Sequence, residues 1–598
     1  MTPPSNRGAA ALAQAITLAR LLLALLAGAA HAASLAWPFS FQAVPLLLLG
    51  LRSGQPVWWL QILALSLLAW LLAGRRSRGQ NDGGPTWQLA ALWAWLYASA
   101  WLAGTFWWLF VAMHTYGGLP ASVAALAVLA LAGVLALYYA AVAALFVVLA
   151  PVSRAWSALV FAALWLLAEL ARGTWLTGFG WGASGYAQVA GPLAGLAPWI
   201  GVYGLCALTA WLAMTLVQSF HEPIRHCERS ETIHDFRMHG SPRYARDDGS
   251  RSVCGSGPEL VARNDVDWRW ALQLTPLLML AALLWATSLA DASKSTGRLG
   301  VTLLQGNIAQ NEKFESGSGV PLALQWYAQQ LKASRTALVI APETAIPVLP
   351  QQLPDNYWAG LQQRFASGQQ AALLGTPLGN AAAGYTNSVL GLKPAQPQPW
   401  RYDKQHLVPF GEFIPPLFKW FTAMMNIPLG DFNRGGRRQA PFEWQGQKLA
   451  TNICYEDLFS EELGLQFIDP VQAPTVFVNI SNLAWFGNGP AQEQHLQIAR
   501  LRALEFARPF VLVTNTGTSA IVDHRGAVVA RLPRDTRSVL VGVVEGRSGV
   551  TPYAWWLARF GLWPLWLLAL AVVGLASAAR WRAGKATTPG FDYGSFQK

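Results

Sequence analysis

The sequence predicts a multi-pass α-helical membrane protein of about eight spans into which one water-soluble domain is inserted. The 598 residues are 53% apolar and 12% charged, whereas a soluble domain carries roughly 25% charge. The charge is also placed unevenly. Up to residue 220 the acidic residues are Asp82 and Glu169, the first lysine is Lys294, and charge is ordinary between about 290 and 548. This distribution excludes disorder, a coiled coil and an ordinary soluble enzyme as descriptions of the whole chain.

Eight apolar runs approach the roughly 20 residues that a membrane-spanning helix needs. They are 12–30, 56–73, 86–113, 121–150, 155–172, 194–218, 269–288 and 556–579. The run 36–51 is shorter and contains Pro38 and Pro45, so we expect a re-entrant or interfacial stretch there. The first run also has features of a cleaved signal peptide, but a retained helix gives the topology described next.

Positive charge predicts the orientation of these spans, because cytoplasmic loops are enriched in Lys and Arg. With a cytoplasmic N-terminus, the arginines of 75–78, Arg154 and the Arg-rich loop 221–269 all lie inside, and the soluble domain lies outside. Counting 36–51 as a full span would reverse this arrangement and fits the rule less well. We therefore interpret the net charge of +12 as a topology signal and as contact with anionic headgroups, and we expect no nucleic-acid partner.

The predicted organisation has four parts. Residues 1–290 form a membrane domain with seven spans, 299–548 form the soluble domain, 556–579 form the last transmembrane helix and 580–598 form a cytoplasmic tail. Within the first part, the polar segment 219–264 has few large apolar residues to bury, so we expect a disordered insertion there.

The periodicity of the sequence changes at about residue 299, where short β-rich runs begin to alternate with helical stretches. The predicted strands are 300–305, 337–341, 371–375, 388–392, 449–453, 475–479, 510–514, 519–522 and 538–544. Helices are predicted near 320–334, 355–367, 458–467 and 490–507. This alternation is typical of an α/β or layered α-β-β-α domain, and about 250 residues are enough to bury a sizeable core.

Three chemical groups follow predicted strands of this domain. The first is Glu343, which comes after an apolar run and lies between Pro342 and Pro347. A rigid turn of this kind can hold a partly desolvated carboxylate in the range of a general base. The alternative is an acid that merely caps a helix.

The second group is Lys404, in the segment YDKQHLVPFGEF at 402–413. A lysine among aromatic and apolar residues can stabilise an oxyanion, and Glu412 in the same segment can orient it. The alternative is a Lys–Glu pair on the surface.

The third group is Cys454, which ends an apolar strand and precedes a predicted helix start at Asp457. A thiol on such a turn can act as a nucleophile, and backbone N–H groups just beyond it can bind an oxyanion. The alternative is an inert buried cysteine, which is the most frequent fate of a free cysteine.

The three groups together resemble the Glu, Lys, Cys triad of the carbon–nitrogen hydrolase (nitrilase) superfamily. The wider context is similar to the apolipoprotein N-acyltransferase family. The motifs that carry this resemblance are VTLLQGNIAQ at 301–310, LVPFGEF at 407–413, CYED at 454–457, VNISNLAWFG at 478–487 and NTG at 515–517. The resemblance covers nearly the whole chain except the loop 219–264 and the C-terminal tail. It implies an α-β-β-α sandwich, a nitrilase-like catalytic domain, inserted between the last two of eight spans.

The resemblance also implies roles for individual residues. Glu343 is expected to be the general base, Lys404 the oxyanion stabiliser and Cys454 the nucleophile. Tyr455 and Glu456 follow the nucleophile in the family's motif, and Glu412 corresponds to its second essential glutamate; these three are the supporting residues.

Candidate lipid contacts are Trp485, Phe486 and Phe314, although ordinary core packing is an equal alternative for the first two. Three positions depart from the family's usual residues. Ala341 and Phe314 stand where the family usually has Trp, and Leu483 stands where it usually has Asp. None of the departures removes a catalytic group, so they concern the substrate loops and the rate.

The reaction that the resemblance implies is acyl transfer from a phospholipid, by family resemblance phosphatidylethanolamine, to the α-amino group of a diacylglyceryl-cysteine apolipoprotein. It proceeds through a thioacyl enzyme in the bacterial inner membrane, with the catalytic domain facing the periplasm. No cofactor and no metal are implied. Two alternatives are a membrane-tethered amidase that hydrolyses its acyl-enzyme, and a non-enzymatic transporter or scaffold with a degenerate domain.

Overall fold

The computed structural model describes residues 7–40, 49–73, 84–149, 153–220, 293–414 and 432–586. Its first part is helical. The helices are α1 (Arg7–Leu35), α2 (Trp58–Ala73), α3 (Trp87–Thr105), α4 (Leu109–Tyr116), α5 (Ala121–Leu149), α6 (Arg154–Thr174) and α7 (Ala197–Ser219). Short 3₁₀ turns occupy much of the connection between α6 and α7. These helices are apolar on most of their surface, as expected where a helix faces both lipid and its neighbours.

Five helices of the described residues are long and apolar enough to cross a membrane, or six if α3 and α4, which are bent by 63°, form one broken span. Helix α2 is apolar but has only 16 residues. The predicted span 269–288 and much of the stretch 36–51 lie outside the described residues. The chain is therefore a membrane protein with several apolar helices, and the expected count of eight spans stays a prediction.

The end of the chain differs from the expected single helix at 556–579. The apolar run is divided into α12 (Pro552–Phe560) and α13 (Trp563–Ala586), with the break at Gly561, whose φ is +55°. Thr551 caps the first of these helices by accepting the N–H of Ala554 at 3.0 Å. Helix α12 packs on α7 and on the soluble domain, so the membrane-spanning candidate begins at Trp563.

The soluble domain contains two six-stranded sheets. The strands are β1 (Lys294–Gln305), β2 (Leu338–Ile340), β3 (Ala371–Asn380), β4 (Gly384–Leu392), β5 (Trp400–Asp403), β6 (Phe442–Trp444), β7 (Gln447–Ile453), β8 (Val476–Ser481), β9 (Phe510–Thr514), β10 (Ala520–Val522), β11 (Val528–Arg531) and β12 (Ser538–Ser548). Their order is β12-β1-β2-β3-β4-β5 in one sheet and β11-β10-β9-β8-β7-β6 in the other. Each sheet has three parallel central strands and antiparallel edges.

Helices cover the outer faces of both sheets, which gives the expected α-β-β-α sandwich. The helices are α8 (Gly319–Ala333), α9 (Tyr357–Ala366), α10 (Ser460–Gly464) and α11 (Ala491–Phe506). Helices α8 and α9 pack on the first sheet, and α11 packs on the second. The nine predicted strands all exist, while the edge strands β5, β6 and β11 were not predicted.

Two apolar cores meet in this sandwich. One lies between the two sheets and includes Val301, Leu373 and Val478. The other begins at the outer face of the second sheet, with Phe477 and Phe510, and continues without a break into the membrane helices. The soluble domain is therefore packed directly on the helical part.

Candidate active site

The three predicted groups follow strands that lie in both sheets. Glu343 comes shortly after β2 and Lys404 directly follows β5, both in the first sheet, while Cys454 directly follows β7 in the second. The carboxyl ends of parallel strands are where open α/β sheets bind ligands. The sandwich brings these ends together, and Lys404 Nζ lies 3.5 Å from Glu343 Oε1.

Glu343 is held by partners from several elements. Its Oε1 accepts a hydrogen bond from Asn387 Nδ2 at 2.7 Å, and its Oε2 accepts the backbone N–H of Asn482 at 2.8 Å. Asn387 lies on β4, and Asn482 directly follows β8. The sequence alone did not single out either asparagine. Both fix the buried carboxylate in one orientation, as a general base requires.

Lys404 lies between two carboxylates. Its Nζ is 2.9 Å from Glu412, which also accepts hydrogen bonds from Asn387 Nδ2 and from the backbone N–H of Val408. The lysine is 1% exposed. Burial alone would lower its pKa, but Glu412 and Glu343 outweigh burial and raise the pKa above its ordinary value. Lys404 is therefore a fixed ammonium ion, suited to stabilising a negative charge that develops beside it.

Cys454 occupies a strained turn between β7 and a short 3₁₀ helix, with a φ of +54°. Strained backbone of this kind is concentrated at functional sites. The side chain is partly buried and contacts both apolar cores, at the place where they meet. Burial raises the pKa of the thiol, Glu343 raises it further, and Lys404 opposes this rise. The thiol is neutral at rest and needs a base to become a nucleophile.

Glu456 joins residues 453–458, which carry the candidate nucleophile Cys454 and are called the nucleophile turn below, to the loop that carries Lys404. Its Oε2 accepts the backbone N–H of Ile453 at 2.6 Å and the hydroxyl of Tyr402 at 2.9 Å. Its Oε1 accepts the backbone N–H groups of Gln405 and His406. One carboxylate thus fixes the residue before Cys454 and the two residues after Lys404.

Tyr455 connects the same turn to the membrane part. Its hydroxyl donates to the carbonyl oxygen of Gly178 at 2.9 Å. Gly178 belongs to the connection between α6 and α7, so the turn that carries the thiol is bonded to the helical part of the chain.

A second buried lysine, Lys313, lies at the site and was not predicted. Its Nζ donates to the main-chain oxygen of Glu343 at 3.0 Å, and the side chain is 1% exposed. Burial lowers its pKa to about 7, against the opposing effects of Glu343 and Cys454. In the sequence it lies between Glu312 and Glu315, a pattern typical of solvent-exposed charge, so the local sequence does not indicate that it is buried.

The candidate lipid contacts have different surroundings. Phe486 packs against Trp108 of the helical part with ring centroids 4.2 Å apart, and Trp485 contacts Tyr116 at 5.8 Å. Both are partly buried between the soluble domain and the segment that follows α3. Phe314 is 46% exposed beside Lys313. Within the described residues, no group of three or more His, Cys, Asp or Glu side chains is arranged to hold a metal ion.

A four-layer sandwich with a glutamate, a lysine and a cysteine after its strands defines the class of carbon–nitrogen hydrolases. The family model described as Carbon-nitrogen hydrolase matches residues 300–552. A second model, Apolipoprotein N-acyltransferase N-terminal domain, matches residues 46–215 in the helical part. The two matches account for both parts of the molecule.

Full-length relatives narrow this class. The apolipoprotein N-acyltransferase of Verminephrobacter eiseniae is 54% identical over 552 residues, which are 90% of this chain and 92% of the relative. That of Ralstonia nicotianae is 39% identical, over 88% and 91% of the two chains. That of Bordetella bronchiseptica is 37% identical, over 93% and 96%. The chain belongs to the apolipoprotein N-acyltransferase family.

Proposed function

We propose that this protein transfers an acyl chain from a phospholipid to the α-amino group of the N-terminal diacylglyceryl-cysteine of apolipoproteins. The observation that carries the proposal is the position of Cys454. Its thiol interacts electrostatically with the Glu343–Lys404 pair, and the residue lies at the edge of the apolar core that continues into the membrane helices. A thiol in that position can meet a lipid ester without the acyl chain leaving an apolar environment, which would cost about 0.8 kcal/mol for each CH₂.

The first half of the reaction forms a thioester. Glu343 takes the thiol proton as Cys454 Sγ attacks the ester carbonyl of the phospholipid. The ammonium group of Lys404 stabilises the resulting oxyanion together with backbone N–H groups of the turn after Cys454. One such donor typically contributes about 2.7–4 kcal/mol to the transition state. The intermediate then collapses, the alkoxide of the lysophospholipid takes the proton from Glu343, and the acyl chain remains on the sulfur.

The second half transfers the acyl chain to nitrogen. The neutral α-amino group of the apolipoprotein attacks the thioester, and Glu343 accepts the amine proton. The tetrahedral intermediate expels the Cys454 thiolate, which recovers its proton from Glu343, and an N-acylated lipoprotein leaves. A thioester keeps the acyl group activated towards the amine, provided that water is kept away from it.

We further propose that the protein lies in the bacterial inner membrane with its catalytic domain in the periplasm, and that phosphatidylethanolamine is the donor. The distribution of arginine supports this orientation. A cysteine introduced at the exposed Val529 of β11 should react with a membrane-impermeant maleimide in cells whose outer membrane is permeabilised. A cysteine at Arg582, near the C-terminus, should react only after the inner membrane is opened. The opposite pattern would reverse the orientation.

Intact-protein mass spectrometry tests the mechanism. The purified protein, mixed with phosphatidylethanolamine and no acceptor, should gain the mass of one acyl chain, and neutral hydroxylamine should remove it. The Cys454→Ala variant should gain nothing. The matched control is Cys206→Ala, which removes another buried free cysteine and should acylate normally. Full acyl transfer by a wild-type protein that never carries the adduct would contradict the thioester mechanism.

The product separates this function from hydrolysis. After acylation, a diacylglyceryl lipopeptide with a free amine should be converted into an N-acyl lipopeptide. The same lipopeptide with an acetylated amine should leave the thioester intact. Release of free fatty acid at the same rate with both peptides would show that water is the natural acceptor.

A further inference from the structure

The first half of the α6–α7 connection, residues 175–184, attaches the nucleophile turn to the membrane part. Besides the bond from Tyr455 to Gly178, this segment makes two contacts with α11 of the catalytic domain. Trp181 Nε1 donates to Gln494 Oε1 at 2.8 Å, and the ring of Trp181 stacks on His495 with centroids 6.0 Å apart. The segment therefore contacts both the nucleophile turn and α11 of the catalytic domain.

The shape of the segment is set from inside the membrane part by Arg172, which is near the end of α6. Its Nη1 donates to the carbonyl oxygens of Phe179 at 2.7 Å and of Trp181 at 2.9 Å. Its Nε donates to the hydroxyl of Tyr139 at 2.9 Å, and its Nη2 pairs with Glu169 at 2.8 Å. One guanidinium group thus holds two carbonyl groups of the segment on either side of Gly180.

Glu169 fixes the arginine and the far end of the segment together. Its Oε1 accepts the hydroxyl of Ser184 at 2.8 Å and the backbone N–H of the same residue at 3.2 Å. Both members of the Glu169–Arg172 pair are fully buried. Burial makes the pair rigid, because a charge that left its partners there would be uncompensated.

The position of Gly178 leaves little freedom. Its φ is +78°, and an added Cβ would overlap the carbonyl oxygen of Gly173 and lie 3.2 Å from the ring of Phe459. The carbonyl group that accepts the Tyr455 hydroxyl therefore has a defined place, between an arginine-held loop on one side and the nucleophile turn on the other.

We propose that Arg172 is a positioning residue for catalysis: through the carbonyl groups of the 175–184 segment and the Tyr455 hydroxyl, it holds the turn that presents the Cys454 thiol. The inference rests on the proposed role of Cys454 as the nucleophile. The membrane part then completes the active site, in addition to anchoring it.

Alkylation of Cys454 by iodoacetamide tests this proposal without any lipid substrate. The rate is followed on the Cys454 peptide by mass spectrometry, across a range of pH, in detergent-purified protein. Arg172→Lys keeps the charge opposite Glu169 but cannot make all four contacts. Each of the single variants Arg172→Lys and Tyr455→Phe should change the alkylation rate about tenfold, or shift its pH profile correspondingly, which is the effect of one lost hydrogen bond.

The double variant decides whether the two residues act through one connection. If they do, Arg172→Lys adds little in the Tyr455→Phe background, because the link is already broken. Tyr139→Phe is the matched control, since it removes a contact of Arg172 but none of the 175–184 segment, and it should leave alkylation unchanged. Fully additive effects, or unchanged alkylation in Arg172→Lys, would overturn the proposal.

A gentler variant covers the case in which Arg172→Lys does not fold. Ser184→Ala removes one hydrogen bond to Glu169 and should alter alkylation in the same direction by a smaller factor while the Tm is retained. Unchanged alkylation in this variant would again overturn the proposal. Failure of the proposed function has a different signature, because the wild-type protein would then gain no acyl mass while the coupling between Arg172 and Tyr455 persisted.

Discussion

Two buried ion-pair clusters in this molecule are built in opposite ways. In the catalytic domain, the ammonium group of Lys404 is shared by Glu343 at 3.5 Å and Glu412 at 2.9 Å. In the membrane part, Arg172 and Glu169 pair one to one at 2.8 Å, and the guanidinium also donates to three further oxygens. The first cluster has more negative than positive charge. The second is balanced, and every nitrogen of its guanidinium group donates a hydrogen bond.

This difference distinguishes buried charges that can take part in a reaction from buried charges that only hold the structure together. A balanced, fully bonded pair has nothing left to offer a substrate, and breaking it leaves an uncompensated charge. In the first cluster two carboxylates share one cation, and in the proposed mechanism Glu343 accepts the proton of the Cys454 thiol there. The same residue types are therefore expected to report on stability in one place and on catalysis in the other.

The largest expected effect comes from making the catalytic cluster resemble the structural one. Glu343→Gln leaves Lys404 in a one-to-one pair with Glu412 and removes the proposed base. We expect the rate of acyl-enzyme formation to fall by about 10⁴-fold, while the Tm stays the same or rises because the excess charge is gone. Quenched-flow mass spectrometry and thermal unfolding measure the two quantities.

The control for this variant is Glu443→Gln, at an exposed position of β6, which should change neither quantity. A Glu343→Gln protein that acylates at the normal rate would show that another group takes the thiol proton. A large fall in Tm would show that Glu343 belongs with the structural carboxylates.

The next largest effect is expected on stability, when the charge pair of the structural cluster is broken. Glu169→Gln leaves Arg172 without its charge partner in a fully buried position, and such a loss typically costs about 3–5 kcal/mol. We therefore expect a clear fall in Tm in detergent. Glu545→Gln removes an exposed carboxylate that lies 3.6 Å from Arg547, and it should leave the Tm unchanged. An equal Tm in both variants would remove the distinction between the clusters.

The local sequence was sufficient to predict much of this architecture. Glu343 and Cys454 each follow a short apolar run that is bounded by turn residues, and both runs form strands in the structure. Glu169 and Arg172 are spaced i, i+3 on one helix, a spacing that brings two side chains together, and the structure pairs them. Edge strands such as β5, β6 and β11 were missed because only part of each strand is buried, so their hydrophobic pattern is weak.

The contacts that complete the site could not be predicted in this way. Tyr455 and Gly178 are 277 positions apart, and neither local sequence indicates a partner. Lys313 is in a polar stretch and becomes buried only when the sandwich closes around Glu343. The division of the last apolar run at Gly561 depends on the packing of α12 against α7 and the catalytic domain, which periodicity along one helix does not report.

Lys313 offers a third, smaller test, through the pH dependence of stability. Burial lowers its pKa to about 7 from an ordinary value of 10.5. Between these values the unfolded chain holds the proton and the folded chain does not, so stability should rise with pH by up to about 1.4 kcal/mol per pH unit. In Lys313→Met this contribution to the slope should disappear, with the largest gain in Tm at neutral or lower pH.

Lys332→Met is the matched control for Lys313→Met, because Lys332 is an exposed lysine in the last turn of α8. It should keep the wild-type slope of Tm against pH. If Lys313→Met also kept that slope, Lys313 would stay protonated beside Glu343 over the whole pH range. The positive and negative charges of the catalytic cluster would then be more nearly equal than we infer.

The smallest expected effect concerns Glu456, which lies in the catalytic domain but is bonded like the structural cluster. Its carboxylate accepts three backbone N–H groups and the Tyr402 hydroxyl. Tyr402→Phe removes one of four donors and should cost about 1 kcal/mol, seen as a small fall in Tm with the acylation rate within a few-fold of normal. A loss of rate comparable to that of Glu343→Gln would mean that Glu456 takes part in the chemistry. Glu456 would then belong with the reactive groups, like Cys454, and not with the structural carboxylates.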